Sequence, residues 1–119
     1  MKIVTQQPAA QAAVGGALFP AGGVVRQSMI GAADSAQLSF TLLHFDAGAT
    51  NAFHTHTHDQ VIVVVAGTVT VATEHERREV GPGDVVLFQA GETHWHAGSA
   101  HGAAAFLSVT PQGTTTQVT

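Results

Sequence analysis

A chain of 119 residues is long enough for one hydrophobic core and too short for two. A formal charge of -4, with four basic residues in all, excludes a phosphate-neutralising surface, and the lack of cysteine excludes disulfides and thiolate ligands. Charged residues make up 10% against 45% hydrophobic, which leaves few charges to solvate a free exterior and predicts a homodimer.

The first residues hold no unbroken apolar run of signal-peptide type, and no segment reaches the ~20 apolar residues of a membrane span, so a cytoplasmic protein is expected. Residues 8–23 are rich in Ala and Gly, contain Pro20 and show no 3.6-residue period. They read as an N-terminal arm with one short strand at most. Beyond the arm, apolar runs of strand length recur at 24–30, 38–45, 61–65, 69–73, 85–88 and 104–109. β-Branched residues dominate several of them. Between them lie turn signals: Asp46-Ala47-Gly48, Ala66-Gly67, Gly81-Pro82-Gly83-Asp84 and Ala97-Gly98. Short strands at this spacing, with no helix between them, predict a single all-β domain over 1–119, a sandwich or small barrel. The run at 61–65 is apolar on both faces, so one face lines the barrel and the other packs on a second sheet or a second chain. Glu74, Glu76, Arg77, Arg78 and Glu79 form a cluster of mixed sign that reads as a solvated hairpin tip.

Side chains alternate faces along a strand, so His54 and His56 point the same way with Cα atoms ~6.6 Å apart. Two imidazoles held like that can close on one ion. A second strand carrying His94 to the same face supplies a third nitrogen, and the amide oxygen of Gln60 is the candidate fourth ligand. Two other readings stand beside this one: the histidines as polar barrel-lining residues, and Gln60 as a hydrogen-bond partner beside the ion. His96 shares a face with His94, either as a proton-transfer group or as plain cavity polarity. His58 falls in a turn and is expected to be exposed, His44, His75 and His101 face solvent, and Trp95 alternates to the outer face.

Gly48, five residues, His54-x-His56, three residues, Gln60, six residues and Gly67 closely resembles the first motif of the cupin superfamily. Residues 83–94, from Gly83 to His94, resemble the second, and the two motifs with their connecting hairpin cover 48–98. The chain departs from the pattern at Gln60 for glutamate, Gln89 for proline and Gly98 for asparagine. The resemblance implies a double-stranded β-helix (jelly-roll) barrel with His54, His56, Gln60 and His94 as ligands at one end. Gly91 to His96 is similar to a segment of hydroxynitrile-lyase-type cupins, and His54 to Gln60 to the sugar-ring-opening cupins of pectin and alginate breakdown. A last-strand histidine of the hydroxynitrile-lyase group corresponds here to Phe106, so the resemblance does not carry cyanohydrin chemistry across.

Three imidazoles and an amide are neutral, so a divalent ion would keep its full charge as a Lewis acid and resist higher oxidation states. Lyase or isomerase chemistry on a small oxygenated molecule is therefore favoured, ahead of a dioxygenase or a non-catalytic small-molecule or metal-binding protein. Nitrogen and oxygen donors without sulfur suit one Mn, Fe, Co, Ni or Zn ion per chain. Strand parity offers Leu43, Phe45, Phe53 and Phe88 as an apolar substrate wall and Thr41 and Asn51 as polar anchors. Because the ligand is the neutral imidazole, metal is expected to leave as pH falls through and below about 6.5.

Overall fold

A computed structural model describes all 119 residues. A single 3-10 turn, Pro8–Ala10, precedes eleven strands. In chain order these are β1 Ala12–Ala13, β2 Val24–Ile30, β3 Leu38–Phe45, β4 His54–His56, β5 Gln60–Ala66 and β6 Val69–Thr73, then β7 Arg77–Val80, β8 Val85–Phe88, β9 His94–Gly98, β10 Ala104–Pro111 and β11 Thr116–Val118. They form two antiparallel sheets, ordered β1-β2-β3-β10-β5-β8 and β11-β4-β9-β6-β7, which is the jelly-roll arrangement of the double-stranded β-helix. No helix is long and apolar enough to cross a membrane.

Period-2 patterning decides what enters the barrel. On β5, Gln60, Ile62 and Val64 are buried while Val61, Val63 and Val65 look outward, so a polar ligand candidate shares its face with two core aliphatics. Their inward partners include Phe45 and Phe106, which sit with Val24, Val69 and Val71 in one apolar cluster between the sheets. The arm is docked rather than free: β1 pairs with β2, and Phe19 is part of that cluster.

Two glycines mark close backbone approaches. At Gly67, between β5 and β6, φ is +68° and a Cβ would lie 2.2 Å from the Ala103 carbonyl oxygen, so no side chain fits. At Gly98 a Cβ would lie 2.5 Å from the Asp46 carbonyl oxygen. That contact explains why the asparagine of the second cupin motif has no place here.

One expectation is corrected, and one strand goes unannounced in the sequence. Arg77 and Arg78 are strand residues paired with Ala72 and Val71, and the exposed tip is the short turn at Glu74 and His75. β7 is an edge strand exposed on both faces, so both guanidinium groups reach solvent, where Arg78 donates to Glu76 and Arg77 lies over Trp95. The strand β11, paired with β4, had no apolar signal to announce it, because its Thr116-Gln117-Val118 run is nearly all polar.

Candidate metal centre

The strand β4 is only three residues long, yet it is wedged between β11 and β9, with His54 paired directly to His94. This puts His54, His56 and His94 on one interior face, with ring centroids 4.8, 4.3 and 5.2 Å apart for the pairs 54–56, 54–94 and 56–94. One ligating atom from each falls within 4.8 Å of the others. From the opposite sheet Gln60 completes the group: its Oε1 is 3.0 Å from Nε2 of both His56 and His94, and its amide Nε2–H donates to Ser108 Oγ at 2.8 Å.

Proton positions follow from the partners. His54 Nδ1–H donates to the Ala52 carbonyl at 2.6 Å and His94 Nδ1–H donates to the Glu92 carbonyl at 2.8 Å, because a carbonyl can only accept. In the neutral rings the lone pairs are therefore on Nε2. Burial keeps these rings neutral at physiological pH: desolvation, then the charge of His54, pushes His56 down to about 4, and His94 falls to about 4 chiefly by burial. His54 is lowered as well, again by burial. Proton competition for the ligands thus begins well below the 6.5 expected for free imidazole, which moves the predicted loss of metal to lower pH. With Ser108 holding the Gln60 amide, Oε1 faces the His94 lone pair with no proton between them. Such a set of inward-facing acceptors fits a cation, and imidazole plus amide oxygen is a donor set for Mn, Fe, Co, Ni or Zn.

Behind His94 lies Phe88, stacked on the ring at 3.9 Å and 12°. Beside it, His96 is 4% exposed and tied to Asn51 by three hydrogen bonds. Asn51 N–H donates to the His96 carbonyl at 3.1 Å, His96 N–H donates to Asn51 Oδ1 at 2.8 Å, and Asn51 Nδ2–H donates to His96 Nδ1 at 2.9 Å. The backbone N–H fixes which way the amide points, so Nδ1 must accept and the ring proton belongs on Nε2. That Nε2–H is buried and has no hydrogen-bond partner. Burial holds His96 well below the ordinary histidine range.

The histidines open onto a cavity of about 250 Å³ lined by Thr41, Leu43, Asn51, His54, His56, Gln60 and His96. Three of the expected wall residues are elsewhere. Phe45 is 1% exposed and belongs to the apolar core, its ring 5.3 Å from Phe106 and 6.2 Å from His96. Phe88 backs His94. Phe53 immediately precedes His54 and so takes the opposite face, 39% exposed and edge-on to Trp95 at 6.2 Å. In their place the cavity is bounded by Leu18 and Phe19 from the arm, Arg26, Ser108 and three threonines near the C-terminus, Thr110, Thr114 and Thr116. Arg26 pairs with Leu43, so strand parity could have found it once the β2–β3 register was known; the threonines carried no signal. A larger depression of about 570 Å³ runs over the outer face past Phe53 and Trp95, but no cluster of ligating side chains lines it. His58, His75 and His101 are exposed and apart from the cluster, and half-buried His44 is paired with Gln6.

Comparison with known proteins agrees with this fold. The chain is 36% identical over 89 residues to the (R)-mandelonitrile lyase of Granulicella tundricola, covering 73% of this chain and 68% of that one. Its fold is similar to a cupin-like protein from Thermotoga maritima, with a TM-score of 0.83 at 18% identity over 91% of this chain and 84% of the other. It is similar also to the polyketide cyclase RemF from Streptomyces resistomycificus, with a TM-score of 0.82 at 18% identity over 98% and 85% of the two chains. The structure of KdgF from Halomonas sp. gives a TM-score of 0.67 at 26% identity over 75% and 78%. The cupin domain pattern itself matches residues 41–110, more than half of the chain, and this protein belongs to the cupin family.

Proposed function

We propose that this cupin is a divalent-metal enzyme performing lyase- or isomerase-type chemistry on a small oxygenated molecule. The observation that carries the reading is the inward-facing set of neutral acceptors, with His94 Nε2 and Gln60 Oε1 opposed at 3.0 Å. A divalent ion held there supplies Lewis acidity that no ligand charge diminishes. The rest of the cavity is arranged to use it. Ser108 orients the Gln60 amide, and Asn51 presents the His96 Nε2–H as a fixed donor for a substrate oxygen. His96 therefore acts as a hydrogen-bond donor in its neutral form, since its lone pair is occupied by Asn51. Leu18, Phe19 and Leu43 keep water from the bound molecule.

The likeness to a mandelonitrile lyase supports a lyase, while Phe106 argues against the same substrate. Its ring is fully buried, 5.1 Å from His96, and puts carbon where a second imidazole would be needed. The test is metal analysis of the purified protein, followed by a turnover screen of small hydroxy and carbonyl compounds with each metal restored in turn. Substrate-dependent oxygen uptake by the Fe(II) form would replace this reading with that of a dioxygenase.

We also propose a homodimer through the outer face of the six-stranded sheet. Val85 and Leu87, 63% and 53% exposed, lie on the edge strand β8 beside Val63 and Val61. A second copy would cover this apolar strip and pair the open edge.

A further inference from the structure

We propose that the cavity is a carboxylate site, with Arg26 as the residue that selects for the substrate's charge. This deepens the reading above and rests on it, because the other end of the ligand is taken to meet the metal centre. Arg26 lies on β2, paired across the sheet with Leu43, and its exposed side chain stands at the mouth of the cavity that His54, His56 and Gln60 line. The ion pairs of the chain are Lys2 with Asp34 and Arg78 with Glu76, so the Arg26 guanidinium has no acidic partner. Nor does it hydrogen-bond to any other side chain or carbonyl. No aspartate or glutamate lines the cavity, although the chain carries eight acids against four bases.

In a protein of net negative charge, a cavity whose only formal charge is an unpaired guanidinium is selective by construction. The neutral ligand set adds to this, since a divalent ion there would keep both of its charges. Low-dielectric walls concentrate such a field and draw anions in. A guanidinium presents parallel N–H donors that match a carboxylate in two-point fashion, which an ammonium or a hydroxyl cannot do. At about 250 Å³ the cavity is smaller than the ~300 Å³ at which drug-sized pockets begin, so the acid is small. A second oxygen on that acid, reaching toward Gln60 and the histidines, satisfies the other end.

The experiment is calorimetric titration of the manganese-loaded full chain with lactate and with lactamide, its neutral counterpart, at low salt. Wild type, Arg26→Gln and Arg26→Lys are compared, with metal content measured on each. Wild type binds lactate about tenfold or more tightly than lactamide. Arg26→Gln cuts that preference severalfold, leaving what the metal ion alone contributes, without changing lactamide affinity; Arg26→Lys restores part of it, and high salt weakens lactate alone. Equal binding of the two, no binding of lactate by wild type, or equal losses for both ligands in Arg26→Gln would overturn the proposal. Retained metal with no charge preference refutes the carboxylate site and leaves the metal centre standing. Arg26-dependent lactate binding by protein that holds no metal does the reverse.

Discussion

Gln60 Oε1 lies 3.0 Å from Nε2 of His94, and with the imidazole proton held at Nδ1 by Glu92 both atoms are acceptors. Two lone pairs at that separation repel unless a cation lies between them. If Gln60 ligates that cation, Gln60→Leu lowers divalent-metal affinity roughly 10–100-fold, while Gln60→Glu, adding a negative charge, raises it. Competition against a chelator of known affinity measures both. Unchanged affinity in Gln60→Leu would reduce Gln60 to a neighbour of the ion.

Metal binding should be visible as stability. A ligand that binds only the folded chain adds about 2.7 kcal/mol at roughly one hundred times its Kd, which for a domain of this size raises Tm on the order of 10 °C. Differential scanning fluorimetry with and without chelator reads this directly. His54→Ala and His94→Ala abolish the shift, since each removes one of the three clustered nitrogens. His58→Ala, altering an exposed ring outside the cluster, keeps it.

The buried histidines also give the metal-free protein a defined pH response. His56 and His94 titrate near 4 in the fold and near 6.5 when the chain is unfolded, so between those values the unfolded state binds more protons. Their lowered values mean that stability is fully present above about 6.5 and falls as pH drops toward 4, levelling once the folded rings also protonate. Urea unfolding of the chelator-treated protein across this window is the measurement. A stability that rose on acidification would show that these rings are not buried in neutral form.

The histidine cluster is legible in the chain because it depends on period-2 geometry and pairing alone. His54 and His56 share a face by alternation, and the spacing to His94 brings β9 alongside. Gln60 is legible through its place in the motif, and alternation adds it to the face of Ile62 and Val64 only once the strand is seen to start at residue 60. The substrate wall was read less well because it depends on register and on irregular segments. Phe53 is hard to place from the sequence because the approach to β4 has no strand pattern of its own, and one step from His54 reverses the face. Arg26 enters the cavity only through its pairing with Leu43, and Thr110, Thr114 and Thr116 through a polar C-terminal segment that crosses from one sheet to the other with no hydrophobic pattern to announce it.

Asn51 and His96 allow a test of the proton assignment. Asn51→Leu removes the donor to Nδ1 and the acceptor for the His96 N–H, leaving a buried backbone donor unpaired at a cost of about 1–3 kcal/mol. Nitrogen NMR of the imidazole should show the Nε2–H form in wild type and a mixture of tautomers in Asn51→Leu. A wild-type ring protonated on Nδ1 would contradict the amide orientation and return His96 to a role as base.

In β8, Val85 and Leu87 alternate outward and meet Val63 and Val61 of β5, whose other neighbour β10 adds Leu107 and Val109 at the same level. These side chains make no use of the barrel interior, and an edge strand of this composition invites pairing with another copy. Size-exclusion chromatography with light scattering should give twice the 12.2 kDa chain mass for wild type. Leu87→Lys places a charge at the centre of the strip and yields the single-chain mass. Because Leu87 is 53% exposed, the substitution leaves the intrinsic stability of the fold within about 0.5 kcal/mol. A wild-type protein that stays at the single-chain mass at high concentration would show that the apolar strip is open to solvent, and the low charge content would then need another explanation.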